Sequence, residues 1–236
     1  MSVAKDFEFP NDVIFPLGDL YSDEPPLESE LHLRQIILLL QSLELLWRNR
    51  NDFYAAGNLT IYYSKRQRRS EEFRGPDFFV VLGCERKVRK SWVVWEEDGK
   101  YPNIIVELLS DSTAATDKGL KKQIFQDIFR TPEYFWFDPN NLEFAGFILI
   151  GGTYELIEPN PQGWLWSQQL NLYLGVYEHK LRYFTAEENL IPTPEEVAEQ
   201  EKQRAEQEKQ RAEQEKQRAE RLAAKLRELN IDPENL

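Results

Sequence analysis

The sequence predicts an α/β domain, in which helices pack against a mixed central sheet, followed by a long charged C-terminal helix. Three observations support this. Apolar residues recur at helical spacing over residues 28–48, several short runs further along are rich in β-branched and aromatic residues, and a charged heptad repeat follows Pro194. The order helix, strands, helix, strand is typical of a mixed sheet flanked by helices.

Three segments are expected along the chain. Residues 1–26 are punctuated by prolines and acidic residues and end in Pro25-Pro26, which predicts an extended segment on the surface. Residues 27–192 contain nearly all the apolar runs and form the predicted domain. Residues 193–236 form the charged tail.

The first predicted helix, residues 28–48, has a broad apolar face, and residues 53–63 suggest a strand pair or a bent strand around Gly57-Asn58. Further strands are predicted at residues 78–82, 91–95, 104–109 and 134–137, a hairpin at 144–150 and 154–157, and more β-structure from Trp164 to Phe184. A second helix is predicted at residues 117–129, with Ser112, Thr113 and Thr116 as candidate N-caps and Leu120, Ile124 and Phe125 facing the core.

The tail contains three perfect copies of AEQEKQR, at residues 198–204, 205–211 and 212–218. A seven-residue period suggests a coiled coil, but the candidate seam positions hold alanine and glutamate, which bury little apolar surface. Only Leu222, Leu226 and Leu229 would make an apolar seam. The tail is therefore interpreted as a solvated helix, with weak self-association through its distal end as the alternative.

Composition narrows the function classes. No apolar stretch is long enough to span a bilayer, and the N-terminus lacks the apolar region of a signal peptide, so a cytoplasmic protein is expected. One cysteine and two histidines make neither a disulfide framework nor a zinc site. The net charge of −12 disfavours strong non-specific nucleic-acid binding, although basic residues cluster at 65–69, 86–90 and 118–122.

Two acidic residues stand out because they interrupt or open apolar runs. Asp77 begins the run GPDFFVV, and Glu107 lies within IIVELLS. An unpaired buried carboxylate is costly, so such a residue in an interior strand needs a partner. Two carboxylates side by side would suit Mg²⁺, with water and a phosphate completing its coordination. The structural alternative is that Asp77 caps a turn and Glu107 pairs with a basic side chain.

The segments GPDFFVV, SWVVWEEDGKYPNIIVELLSDST, DKGLKKQIF and TPEYFWFDP resemble the Uma-two family of the PD-(D/E)XK restriction-endonuclease-like superfamily. The resemblance covers residues 25–195 and rests on the order and spacing of these segments. It implies a restriction-endonuclease-like fold, with Asp77 as the acid of the PD motif and Glu107 as the acid of the (D/E)XK motif.

The chain departs from the superfamily pattern at the lysine, because the expected position is Leu109. The resemblance implies that Lys121, on the following helix, takes its place, and Lys122 is the neighbouring alternative. Glu30 is a further candidate metal ligand, since some superfamily members add an acid from the first helix; an exposed helix residue is the alternative. His32 is interpreted as a surface or capping histidine, and Ser110 as a residue that shapes the turn after the strand.

Taken with these residues, the resemblance implies a Mg²⁺- or Mn²⁺-dependent endonuclease that hydrolyses DNA, with Asp77, Glu107 and Lys121 as catalytic residues. The sequence does not separate DNA from RNA as the substrate, and a homodimer stays possible. The competing hypothesis is a non-catalytic binding or assembly protein that keeps the fold and uses its tail for contacts.

Overall fold

The computed structural model of the protein describes residues 21–22, 29–63, 73–110 and 113–228. The chain divides into two compact units, with the boundary between Ile191 and Pro192. The predicted extended segment, residues 1–26, lies almost wholly outside the described residues. No helix in the described ranges has both the length and the apolarity needed to cross a membrane.

In its described residues, the first unit contains helix α1, twelve strands and a second helical segment. Helix α1 spans Glu30–Leu46, a single 3₁₀ turn spans Val94–Glu96, and residues 114–129 form the second helical segment, α2. The strands are β1 Phe53–Gly57, β2 Ile61–Tyr62, β3 Phe73–Arg74, β4 Phe78–Leu82, β5 Trp92–Val93, β6 Ile104–Leu108, β7 Glu133–Phe137, β8 Phe144–Ile150, β9 Thr153–Leu156, β10 Leu165–Ser167, β11 Leu172–Tyr177 and β12 Lys180–Phe184.

Six strands form the central sheet in the order β1-β4-β6-β7-β8-β9. Strands β6 and β7 are parallel, and all other neighbours in this sheet are antiparallel. A parallel pair needs a crossover connection, which α2 supplies. Two three-stranded sheets, β10-β11-β12 and β3-β2-β5, complete the domain. The structure thus confirms the predicted mixed sheet with helices.

The two faces of the central sheet pack against different elements, because successive side chains of a strand point to opposite faces. Ile104, Val106 and Leu108 of β6 lie in one cluster with apolar residues of α1 and of the β10-β11-β12 sheet. Ile105 and Leu109 lie in the other cluster, with apolar residues of α2. Any side chain of β6 that shares a face with Ile105 therefore points towards α2.

Segment α2 is not a regular α-helix. Two short α-helical stretches, Ala114–Thr116 and Lys122–Ile124, alternate with two π-helical turns, Asp117–Lys121 and Phe125–Phe129. A π turn holds more residues than an α turn and so changes which side chains share a face. Ile124 and Phe125 are buried as predicted, but Leu120 is 55% exposed, and its predicted core position is wrong.

The other strand predictions differ from the structure mainly in pairing. Residues 53–63 do form two strands, but β1 and β2 belong to different sheets and do not pair with each other. Only Trp92 and Val93 of the predicted run 91–95 are a strand, since a 3₁₀ turn follows directly. The predicted hairpin is confirmed as β8 and β9.

The second unit is the tail helix, α3, which spans Pro194–Glu228. It begins with a capping box, in which the Thr193 hydroxyl accepts from the Glu196 amide and the Glu196 carboxylate accepts from the Thr193 amide. Along the heptads, Gln203 bonds Glu199, and the equivalent glutamines of the next two repeats bond their own glutamates. The side chains described from residue 198 to 222 are exposed, in agreement with a solvated helix. Self-association stays a prediction.

Gly57 lies where β1 passes close to α1, since a Cβ added there would overlap the Ile36 side chain. We expect Gly57→Ala to lower the free energy of unfolding by about 1–3 kcal/mol, the usual cost of overpacking. Urea denaturation measures this. Gly119→Ala is the control, because nothing lies within 4 Å of its added Cβ. Equal stability of Gly57→Ala and the wild type would contradict the close approach.

Candidate active site

The register between β4 and β6 brings the two predicted acids together. The two strands are antiparallel and Phe78 lies opposite Val106, so Asp77, one residue before Phe78, lies opposite Glu107, one residue after Val106. The Asp77 amide donates to Glu107 Oε2 at 3.4 Å, and the Leu108 amide donates to Asp77 Oδ2 at 2.7 Å. The Asp77 carboxylate thus accepts a hydrogen bond from the backbone of β6, the strand that carries Glu107, just beyond the last paired residues of β4 and β6.

Glu107 faces α2, because it shares the face of β6 with Ile105 and Leu109. Its side chain is fully buried. A carboxylate without a countercharge in this position would be strongly unfavourable. The sequence argument that Glu107 needs a partner therefore holds, and α2 supplies the partner.

Lys121 is that partner. Its Nζ lies 3.1 Å from Glu107 Oε2 and 2.9 Å from Asp117 Oδ1, and its side chain is 20% exposed. Lys122, the alternative, instead places its Nζ 3.3 Å from the centre of the Phe147 ring. Of the two lysines, the structure brings Lys121 to the acids.

Asp117 is an acid of this cluster that the sequence analysis did not select. It is 1% exposed and precedes Lys121 by four residues, so both side chains lie on one face of α2. That spacing was the available signal. Two carboxylates, those of Glu107 and Asp117, contact the ammonium, and Asp77 lies opposite Glu107, so the cluster has a net charge of −2 when all four groups are ionised.

Three buried carboxylate oxygens of this cluster have no hydrogen-bond partner among the described residues, and only one of them, Asp117 Oδ1, has an ion pair, with Lys121. Glu107 Oε1 and Asp117 Oδ2 accept no hydrogen bond from the part of the chain that the structure describes. Buried polar atoms are normally satisfied, so such exceptions mark strain, function or a bound ion. The cluster therefore has both the charge and the open oxygen ligands to take a cation.

The pKa values of the two acids and of the lysine are raised for different reasons. Burial raises the pKa of Glu107 well above its ordinary value, although Lys121 opposes this shift. Burial also raises the pKa of Asp77, again opposed by Lys121 and by the hydrogen bond from Leu108. For Lys121, burial lowers the pKa, but Glu107, Asp117 and Asp77 outweigh burial and raise it. Lys121 is therefore an ammonium ion while it keeps these partners and does not act as a base.

A comparison with protein families matches residues 11–177 to the model of the Uma2 family, described as "Putative restriction endonuclease". The chain belongs to the Uma2 family. A solved structure from Anabaena variabilis, titled a putative nuclease belonging to DUF820, shares 13% identity over 62% of this chain and 76% of its own, with a TM-score of 0.45. That likeness is too distant to carry an argument. No curated protein matches the chain.

The Uma2 chain's acids suit a hard divalent cation. Mg²⁺ prefers carboxylate oxygens and keeps several waters, so one or two protein carboxylates are enough. Glu107 Oε1 is buried, with no hydrogen-bond partner in the described part of the chain, and Asp77 lies opposite Glu107 on the neighbouring strand. Within the described residues no group of three or more His, Cys, Asp or Glu side chains is arranged to hold a metal alone. Water and a phosphate would have to supply the other ligands.

Glu30 is not brought to this cluster. Its carboxylate pairs with Arg34 one helical turn on, at 2.6 Å, and its side chain is 74% exposed. The structure therefore favours the alternative interpretation of Glu30 as an exposed helix residue, paired along the surface of α1.

His32 connects α1 to the site by a hydrogen bond to the backbone of β6. Its interpretation as a surface histidine is wrong. It is 5% exposed, and its Nε2 lies 2.6 Å from the carbonyl oxygen of Leu108. The Leu108 amide donates to Asp77, so Leu108 is held from both sides. Ser29 is the N-cap of α1 and accepts from the His32 amide, which fixes the start of the helix here.

Ser110 shapes the turn from β6 into α2, as predicted, since its hydroxyl accepts from the Thr113 amide and lies 3.0 Å from the Thr113 hydroxyl. Ser112 and the basic cluster at 65–69 lie outside the described residues. In the cluster at 86–90, Arg86 pairs with Glu44, Lys87 with Glu85, and Arg89 with Glu97. These contacts favour a structural role for that cluster over phosphate binding.

Replacement of His32 by leucine is expected to lower the free energy of unfolding by about 1–3 kcal/mol, because the buried Leu108 carbonyl loses a hydrogen bond. His32→Gln keeps a side-chain donor and should lose less. Thermal unfolding of both variants measures the difference. If both variants lost the same stability, packing rather than the hydrogen bond would explain the effect.

Proposed function

We propose that this Uma2 protein is a Mg²⁺- or Mn²⁺-dependent endonuclease that hydrolyses phosphodiester bonds in DNA. One observation carries the proposal: buried Glu107, opposite Asp77, keeps an oxygen that no described residue hydrogen-bonds, and it shares the Lys121 ammonium with a second buried carboxylate, Asp117. Such a cluster lacks positive charge, and a divalent cation would supply it. Membership of a family described as a putative restriction endonuclease supports a phosphodiester substrate.

In this proposal Asp77 and Glu107 hold the cation and Lys121 contacts the substrate. Once bound, Mg²⁺ supplies Lewis-acid stabilisation of the phosphate and a water of lowered pKa. Lys121, held as an ammonium ion and 20% exposed, donates hydrogen bonds to the phosphate or the attacking water and offsets the charge that develops there. The hydrogen bond from Leu108 keeps the Asp77 carboxylate aligned with Glu107.

The test is incubation of the purified protein with supercoiled plasmid, single-stranded DNA and RNA, each with Mg²⁺, Mn²⁺ or EDTA. Cleavage of DNA with either metal, and none with EDTA, is the expected result. Cleavage of RNA alone would keep the site and change the substrate. Activity that persists in EDTA would contradict the proposed role of the metal.

Calorimetric titration with Mn²⁺ separates this proposal from the alternative of a non-catalytic binding or assembly protein. The exposed, regularly repeated surface of the tail helix favours that alternative. Absence of metal binding, together with a stable partner that is lost when residues 196–236 are deleted, would support it. Binding of one or two Mn²⁺ ions that EDTA then removes would support the nuclease.

A further inference from the structure

Asp117 has a role in this cluster that a nuclease built from Asp77, Glu107 and Lys121 leaves unexplained. Its side chain is buried to 1% exposure, and its Oδ1 lies 2.9 Å from Lys121 Nζ. Its Oδ2 accepts no hydrogen bond from the described residues. A buried carboxylate that accepts so few hydrogen bonds destabilises the folded protein. Destabilising features of this kind are often found at functional sites.

The backbone around Asp117 is held in a specific shape. Asp117 begins the π turn Asp117–Lys121, and π turns within α-helices occur often at functional sites. The Tyr134 hydroxyl, from β7, donates to the Asp117 carbonyl oxygen at 2.9 Å, and Tyr134 is fully buried. The sheet thus anchors the residue that begins the turn, and the turn ends at Lys121.

Lys121 therefore lies between two buried carboxylates on different elements. It is 3.1 Å from Glu107 Oε2 on β6 and 2.9 Å from Asp117 Oδ1 on its own helix. If Glu107 were its only partner, the ammonium would move fully onto Glu107 and oppose any cation there. A second carboxylate attracts the same ammonium and so weakens its hold on Glu107.

We propose that Asp117 is a positioning residue that shares the Lys121 ammonium with Glu107. It thereby holds the lysine beside the acid pair and leaves Glu107 available to a divalent cation. This inference rests on the proposed nuclease function for its catalytic consequences, but the coupling between Asp117 and Lys121 is a property of the fold.

The test uses Asp117→Asn, Lys121→Met and the double variant of the full-length protein, with Asp127→Asn as the control. Asp127 lies on the same helical segment and is exposed. Asp117→Asn is expected to weaken Mn²⁺ binding and to lower kcat, each by about 10–100-fold, with the KM for DNA within about twofold of the wild type. The double variant should cleave no more slowly than Lys121→Met alone, because Asp117 acts through Lys121.

Wild-type Mn²⁺ affinity and kcat in Asp117→Asn would overturn the proposal, as would losses that multiply in the double variant. A fall in melting temperature alone, with unchanged metal affinity, would show a purely structural role and also overturn it. If Asp117→Asn does not fold, Tyr134→Phe takes its place. That variant keeps the carboxylate but releases its backbone anchor, and an unchanged kcat would then be the contradicting result.

The stability cycle needs no substrate and separates this inference from the nuclease proposal. Lys121→Met should have a lower melting temperature than the double variant, because the single variant leaves the Asp117 carboxylate buried without a countercharge and the double variant replaces it by a neutral amide. A double variant more stable than Lys121→Met supports the coupling even if the wild-type protein cleaves nothing. A double variant less stable than both single variants contradicts it.

Discussion

Glu107→Gln is expected to lower metal-dependent cleavage by about 10³-fold in kcat, equivalent to about 4 kcal/mol of transition-state stabilisation, while the protein stays folded. The amide keeps the shape of the side chain but removes the charged ligand from the centre of the cluster. Single-turnover cleavage at one Mn²⁺ concentration that saturates the wild type measures the rate of both proteins, and calorimetry measures the accompanying loss of metal affinity.

Glu107→Gln is also expected to change how the stability of the metal-free protein depends on pH. Burial raises the pKa of Glu107 in the folded protein, so its stabilising contribution is complete below its ordinary pKa of 4.5 and is lost as the pH rises through the raised value. Glutamine does not titrate. In EDTA, the stability of Glu107→Gln relative to the wild type should therefore increase from acidic to neutral pH.

The control for Glu107→Gln is Glu155→Gln, whose side chain is exposed on β9. It should match the wild type in cleavage, metal affinity and pH dependence. Retention of wild-type cleavage by Glu107→Gln would show that the active site lies elsewhere. A stability difference that does not change with pH would show that the Glu107 carboxyl does not titrate in this range.

Lys121→Met is expected to lower kcat by about 10²–10³-fold, the usual cost of removing one electrostatic donor from an active site. It should also destabilise the fold by about 3–5 kcal/mol, the usual cost of removing one partner from a buried ion pair. Glu107 and Asp117 both lose the cation that lies within 3.1 Å of them. Burial raises the pKa of Glu107, and protonation of that carboxyl would remove its need for a countercharge, so the loss of stability should be smaller at acidic pH. Urea denaturation at two pH values measures both effects.

Lys122→Met is the matched control, because it removes the neighbouring lysine of the same helix. Its ammonium lies over the Phe147 ring rather than beside an acid. Cleavage should stay close to the wild type, and the free energy of unfolding should change by no more than about 1 kcal/mol, the value of a cation–π contact at an exposed site. Equal damage from both substitutions would contradict the selective role of Lys121.

Saturating Mn²⁺ is expected to raise the melting temperature of the wild type but not of Glu107→Gln. A ligand that binds only the folded state stabilises it by about 2.7 kcal/mol at about one hundred times its dissociation constant. Thermal unfolding in EDTA and in Mn²⁺ measures this shift without any substrate. Equal shifts in both proteins would place the metal away from Glu107.

Local patterns in the sequence were sufficient for most helices and strands, because each element carries its own periodicity. Strand β4 and the β8–β9 hairpin follow from their runs of apolar and β-branched residues. Glu107 could be selected as well, since a charge within an apolar strand requires a partner. The family resemblance supplied Lys121, which periodicity alone did not separate from Lys122.

The mixed α/β class, the charged tail helix and the need for a partner at Glu107 therefore follow from the amino-acid sequence alone. Only the tertiary structure decided which residues meet. The β4–β6 register sets Asp77 opposite Glu107, the packing of α2 against the sheet brings Lys121 to Glu107, and the packing of α1 buries His32 against Leu108. Strand register and helix phase depend on contacts between distant segments, which no local pattern records.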